Sequence, residues 1–192
     1  IVFDGNGYSD EWVAEAAKRG LPNLKTMVDA IPALTTEKAV NLFEKFGVFT
    51  KAELESRAEI QYETYAKVIN IEAKSMIDIA SKQLIPAVIK YTKELADTVI
   101  AVKACGVDAS VQEEILRKTT TLLGESRNAL AKLKELDAQA NKLSRGEKQA
   151  KFFNKEVVPA MEALRKPIDK LEMIVEKDMW PMPSYGDLIF EV

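Results

Sequence analysis

The chain has 192 residues, 47% of them hydrophobic and 30% charged, with 27 Lys plus Arg against 30 Asp plus Glu and a formal net charge of −3. That is long enough to bury a core, and the near-balance of charge gives no pull toward nucleic acid or anionic membrane. Histidine is absent and cysteine occurs once, at Cys105, which removes a Ser-His-Asp triad, a Cys-His pair, a His-containing zinc site and an internal disulfide.

The opening Ile1-Val2-Phe3 is expected to belong to a chain cut from something longer. No charged region leads into a long apolar stretch, and no run approaches the roughly 18 apolar residues of a membrane span. One unpaired cysteine and no targeting segment fit a cytoplasmic location.

Glycine and proline punctuate the first fifty residues, so short elements are expected there. Ser9 can cap a helix whose first turn carries Asp10 and Glu11, with Gly20 ending it. A second helix is expected over Asn23 to Ala30, stopped by Pro32. A third, opened by Thr35 or Thr36, covers Glu37 to Phe46 and is closed by Gly47.

From Thr50 onward the pattern lengthens. Three S/T-x-x-E boxes, Thr50 with Glu53, Ser110 with Glu113 and Ser144 with Glu147, announce three helix starts. After the first, helical phase is held by Leu54, Ala58, Tyr62, Tyr65, Ile69, Ala73, Met76, Ala80, Leu84, Ala87, Tyr91, Leu95, Val99 and Val102, up to a cap at Gly106. The stripe passes through Pro86, which predicts one long helix bent where that residue removes a donor and crowds the carbonyl of Lys82. The second long helix runs from about Ser110 to Leu143 with Ile115, Leu122, Ala129, Leu136 and Leu143 at seven-residue spacing, a face widened by Leu116, Leu123 and Leu130, with Thr119, Ser126, Leu133 and Ala140 filling half-heptad positions. The third runs from about Gly146 to Met179 through Phe153, Val157, Met161, Leu164, Ile168, Leu171 and Val175, bent by Pro159 and Pro167. Trp180 to Ser184 break the helix, leaving Leu188, Ile189 and Phe190 in an extended tail.

These lengths predict an all-α fold: an elongated antiparallel bundle of three long helices with short N-terminal helices and an extended C-terminal tail. At about 1.5 Å per residue the first long helix spans roughly 80 Å against roughly 50 Å for the others. Residues 51 to about 70 are therefore expected to project beyond the three-helix region, covered at least in part by the short helices before residue 47, the other candidate being a surface missing from this chain. The division expected is an N-terminal segment over 1–49 and a helical bundle with its tail over 50–192.

The candidate sites have plainer explanations. Asp4, Asn6 and Glu15 fall at positions one, three and twelve of a calcium loop, but Tyr8 and Ser9 stand where it needs a small oxygen-bearing residue and a glycine. A turn leading into the Ser9 cap is expected instead. Gly5 and Gly7 lack the third glycine and the flanking strand of a nucleotide loop. Glu and Lys scattered opposite the apolar stripes read as a solvated surface, and Arg165-Lys166 are balanced by Glu162, Asp169 and Glu172. Cys105 beside Gly106 is expected as a buried or half-buried thiol, Tyr62, Tyr65 and Tyr91 as packed, and Trp180 as an anchor of the tail. No catalytic, cofactor-binding or metal-binding residue is assigned.

The opening Phe3-Asp4-Gly5-Asn6-Gly7-Tyr8-Ser9-Asp10-Glu11-Trp12, followed by Arg19-Gly20-Leu21-Pro22-Asn23-Leu24 and Asp29-Ala30, resembles a stretch of the type III glutamine synthetases, as does the ending Asp178-Met179-Trp180-Pro181-Met182-Pro183-Ser184-Tyr185. The two segments bracket the chain, and the helices between them are similar to that family's C-terminal region. The resemblance implies a non-catalytic C-terminal structural or oligomerisation domain. Its parent joins ammonia to glutamate with ATP and a divalent metal, Mg or Mn, in a core upstream. The implied partners are that core and further copies of the parent in a double-ring homo-oligomer, with residues 1–49 as the link to the core and no nucleic acid or membrane. The competing reading is a stand-alone helical-bundle interaction or scaffold module.

Overall fold

The computed structural model describes residues 3–190, and every regular element among them is helical. The chain forms two compact units, residues up to Tyr62 and residues from Glu63 onward.

In the first unit, helix α1 spans Asp10–Lys18. The Trp12 N–H donates to Ser9 Oγ at 3.3 Å, and the Ser9 N–H donates to the Asn6 carbonyl at 3.1 Å, so the predicted turn and cap are both present. At the far end the Gly20 N–H reaches Ala17 O and the Leu21 N–H reaches Ala16 O, satisfying carbonyls the helix leaves over. Helix α2, Met27–Ala30, begins later than the expected Asn23, because Thr26 supplies the cap by accepting from the Asp29 N–H. Pro32 does not stop the helical path. It sits in the first turn of a 3-10 helix, Ile31–Thr35, where an amide hydrogen is not needed. Thr36 caps α3, Glu37–Lys45. Gly47, at φ +63°, closes that helix in the left-handed region that an L side chain resists.

Helix α4, Lys51–Ile79, starts at the first predicted box. The Thr50 N–H donates to Glu53 Oε2 at 2.7 Å and the Glu53 N–H donates to Thr50 Oγ1 at 3.4 Å. Glu44 Oε1 accepts from the Lys51 N–H at 3.1 Å, so a further orphan donor at this helix start is satisfied. The buried apolar side chains of this unit are Val28, Ile31, Val40, Leu54, Ala58 and Tyr62. Leu54, Ala58 and Tyr62, the first stripe residues of α4, are thus buried.

In the second unit, α4 leads into a π-helical turn, Ala80–Leu84, and then α5, Ile85–Ala104. The Ile85 N–H bonds to Ala80 O, one residue wider than an α-turn. Pro86 follows in the first turn of α5. A widened turn keeps the ring off the preceding carbonyls, so the single bent helix expected here is two helices joined by a π turn. The device recurs: α7, Glu147–Phe152, passes through a π turn, Phe153–Val157, into α8, Val158–Glu172, with Pro159 again in the first turn. Pro167 lies inside α8 and is buried.

Helix α6, Ser110–Ala140, packs against α5 and α8. Every predicted stripe residue of the long helices is buried or half-buried. Thr119 and Ser126, fully buried on α6, donate to the Ile115 and Leu122 carbonyls at 2.8 Å, which removes the penalty of burying a hydroxyl.

Two predicted boxes do not form. The Asp108 carboxylate takes both the Ser110 N–H and its hydroxyl, at 3.1 and 2.7 Å, while Glu113 pairs with Lys103 and Arg117. Ala109 therefore occupies the cap position of α6. At α7 the cap position is Gly146, with φ +93° and ψ −147°, a conformation suited to glycine, and Glu147 pairs with Lys151. Helix α6 also ends before the expected Leu143, and α8 ends at Glu172 rather than Met179, followed by a 3-10 turn, Lys177–Met179. The tail is not extended: α9 spans Tyr185–Phe190. A fourth box holds it, with the Ser184 N–H on Asp187 Oδ2 at 2.7 Å and the Asp187 N–H on Ser184 Oγ at 3.3 Å.

Candidate functional site

Side-chain chemistry concentrates where the Ala80–Leu84 turn approaches α6. A hollow of about 420 Å³ there is lined by Lys74, Ser81, Lys134, Asp137 and the paired Asp78 and Lys82. Asp137 is 9% exposed, and its burial pushes the carboxyl above the usual range, against the smaller opposing pulls of Lys74 and the Asn141 amide. Asn141 Nδ2 lies 3.2 Å from Asp137 Oδ1 and 3.0 Å from Asn70 Oδ1. Ser81 Oγ is buried without a hydrogen-bond partner. The hollow therefore gathers charge without a hydroxyl–base contact, which nucleophilic catalysis would need.

In the first two turns of α5, Tyr91 packs beside a cluster of Val88, Leu122, Leu171 and Val175, and burial followed by the Glu176 charge raises its phenol. Trp180 packs against the same cluster while its indole N–H donates to Glu172 Oε1 at 3.1 Å. The predicted anchor is therefore in place. Lys177 reaches Asp187 at 2.9 Å, and with the Ser184 N–H it holds the Asp187 carboxyl down to about 2.

The other residues singled out by sequence divide cleanly. Asn6 Oδ1 accepts the Tyr8 N–H at 3.0 Å and Glu15 pairs with Arg19 at 2.7 Å, so two members of the nominal calcium frame serve local turns. Among the described residues no group of three or more Cys, Asp or Glu side chains is placed to hold a metal ion. Arg165 pairs with Asp169 at 3.1 Å. Cys105 contradicts the expectation of burial: it lies just beyond α5, where the chain turns through Gly106, and is exposed. The Tyr65 hydroxyl donates to Asn154 Oδ1 at 3.0 Å, a bond that helical periodicity alone does not reveal. Among the described residues no helix is long and apolar enough to cross a membrane.

Comparison with known proteins adds what the geometry lacks. A family model described as the glutamine synthetase C-terminal domain matches residues 1–103. The chain is 34% identical over 194 residues to a glutamine synthetase of Butyrivibrio fibrisolvens, covering 100% of this chain and 28% of that protein. It is 33% identical over 200 residues to a type-3 glutamine synthetase of Dictyostelium discoideum, covering 99% and 27% respectively. A glutamine synthetase of Bacteroides fragilis is 27% identical over 196 residues. The chain thus spans little more than a quarter of the length of the curated relatives it matches.

Proposed function

The chain belongs to the glutamine synthetase C-terminal domain family, and on that premise we propose that it is the non-catalytic C-terminal helical part of a type III enzyme joining ammonia to glutamate with ATP. The observation that carries this reading is the alignment of essentially the whole chain with just over a quarter of each relative. The ATP and divalent metal belong to an upstream core. The residues described here contain no acidic cluster suited to that metal, and no step of the reaction is assigned to them.

Residues 1–49 lead from that core, and residues 50–192 form the helical domain that helps assemble copies of the parent in the cytoplasm. Neither nucleic acid nor membrane is a partner in this reading. Within the second unit, we read an antiparallel three-helix bundle. Supporting it, Asn70 meets Asn141 and Lys103 meets Glu113, so residue numbers rise along one helix as they fall along the next. Val88, Leu122 and Leu171 share one cluster while Gln149 Nε2 bonds Ala140 O, which gives α8 the opposite sense to α6.

Light scattering on the full-length parent with and without residues 63–192 tests the assembly role. A lower oligomeric mass after deletion is expected, and an unchanged mass assigns assembly to another part of the protein.

A further inference from the structure

The first unit leaves an unusual amount of apolar surface in water. On α3 the inward side carries the buried Val40, while Leu42 and Phe46, one turn apart, are 53% and 68% exposed, and Val48 just beyond the helix is 53% exposed. Of the charged neighbours, Glu44 is turned to the Lys51 N–H, and Lys45 lies over the Phe46 ring at 5.9 Å, covering one side of it. On α1, by contrast, Trp12 and Ala16 are half-buried, with Trp12 against the Phe3 ring at 4.5 Å, and Val13 is half exposed. Single exposed apolar residues need no explanation, but a row of them at one helix end marks an interaction surface.

We propose that the Leu42–Phe46–Val48 row at the end of α3 is the seat on which the upstream core of the same polypeptide docks. The occupant follows from length: the relatives are more than three times as long as the segment that matches this chain, and the matching family is a C-terminal domain. On the C-terminal-domain reading the additional chain precedes residue 1, and the first unit is the part nearest to it in sequence. This docking surface rests on the enzyme-fragment reading above, deepening it from a linkage to a defined face.

Hydroxyl-radical footprinting by mass spectrometry, on the full-length polypeptide and on the 192-residue chain at two concentrations, tests it. Leu42 and Phe46 are expected to label about fivefold more slowly in the full-length protein, while Ile100 and Met173 of the second unit label equally in both. Equal labelling of α3 in the two proteins overturns the proposal, as does protection confined to Leu188 and Phe190 of α9. Protection of α3 that rises with concentration in the 192-residue chain also overturns it, because a second copy is then the occupant. A Phe46→Arg variant of the full-length protein is expected to restore fast labelling of Leu42 without changing that of Met173, and continued protection of Leu42 counts against docking. Glutamine formation by the same full-length sample is read separately: protection of α3 without that activity leaves the docking face standing and removes the enzyme reading.

Discussion

The Tyr65 hydroxyl donates to Asn154 Oδ1 at 3.0 Å, joining residues 89 apart in sequence and tying α4 to the π turn that precedes α8. Both groups are partly buried, so losing the hydroxyl removes a donor where water replaces it poorly. Tyr65→Phe is expected to cost about 1 kcal/mol, read as a lower urea midpoint at unchanged slope.

Core and surface positions of the second unit should behave oppositely. Leu164 is 0% exposed and Met173 is 85% exposed. Truncating the first leaves a cavity, so Leu164→Ala is expected to lower stability by about 2–5 kcal/mol, whereas Met173→Ala stays within about 0.5 kcal/mol. Equal effects in denaturant titrations would refute the assigned packing.

The capping residues offer a sharper contrast, because three similar boxes in the sequence have different fates. Thr50 accepts from the Glu53 N–H, whereas Ser144 is not the cap of α7. Thr50→Ala is expected to destabilise by about 1 kcal/mol and Ser144→Ala by less than about 0.5 kcal/mol. The bond from the Thr50 N–H also holds Glu53 below the usual carboxylate range. Its contribution is therefore present above that range and is lost as pH falls through the depressed folded-state value. Glu53→Gln, which removes that charge, is expected to melt below wild type at neutral pH, with the two melts converging in acid.

Asp137 has the reverse sign. Burial raises its carboxyl, so the folded state binds the proton more readily than the unfolded chain and the ionised group is a penalty at neutral pH. Asp137→Asn keeps an acceptor for Asn141 and is expected to raise Tm by ~1–3 °C at pH 7, with the gain shrinking as acid protonates the wild-type group. A gain that grows in acid would contradict this.

Much of the fold was legible because helical phase is a long-range signal: the stripes from Leu54 to Val102 and from Ile115 to Leu136 turn inward as read. What escaped depends on a few atoms. Ser110 has the spacing of a cap, but Asp108 stands two residues earlier and competes for its hydroxyl. Pro86 and Pro159 signalled a disturbance correctly, yet the relief is a π turn before each ring, which residue periodicity does not encode. The Ser184–Asp187 box is present in the sequence and opens a helix in a tail that apolar composition suggests is extended. Cys105 was misplaced because its position beside a helix-ending glycine gives proximity to the core in sequence but not in space. The absence of histidine excludes histidine-based catalytic sites from this chain by composition alone.

The central claim is that this chain is the non-catalytic end of an ATP-dependent glutamate–ammonia ligase. Glutamine formation from glutamate, ammonia, ATP and magnesium, assayed for the full-length product of the source gene beside the 192-residue chain, tests it most directly. Turnover by the full-length protein and none by the 192-residue chain is the result expected. Turnover by the 192-residue chain, no turnover by the full-length product, or a source reading frame that begins at Ile1 would contradict it.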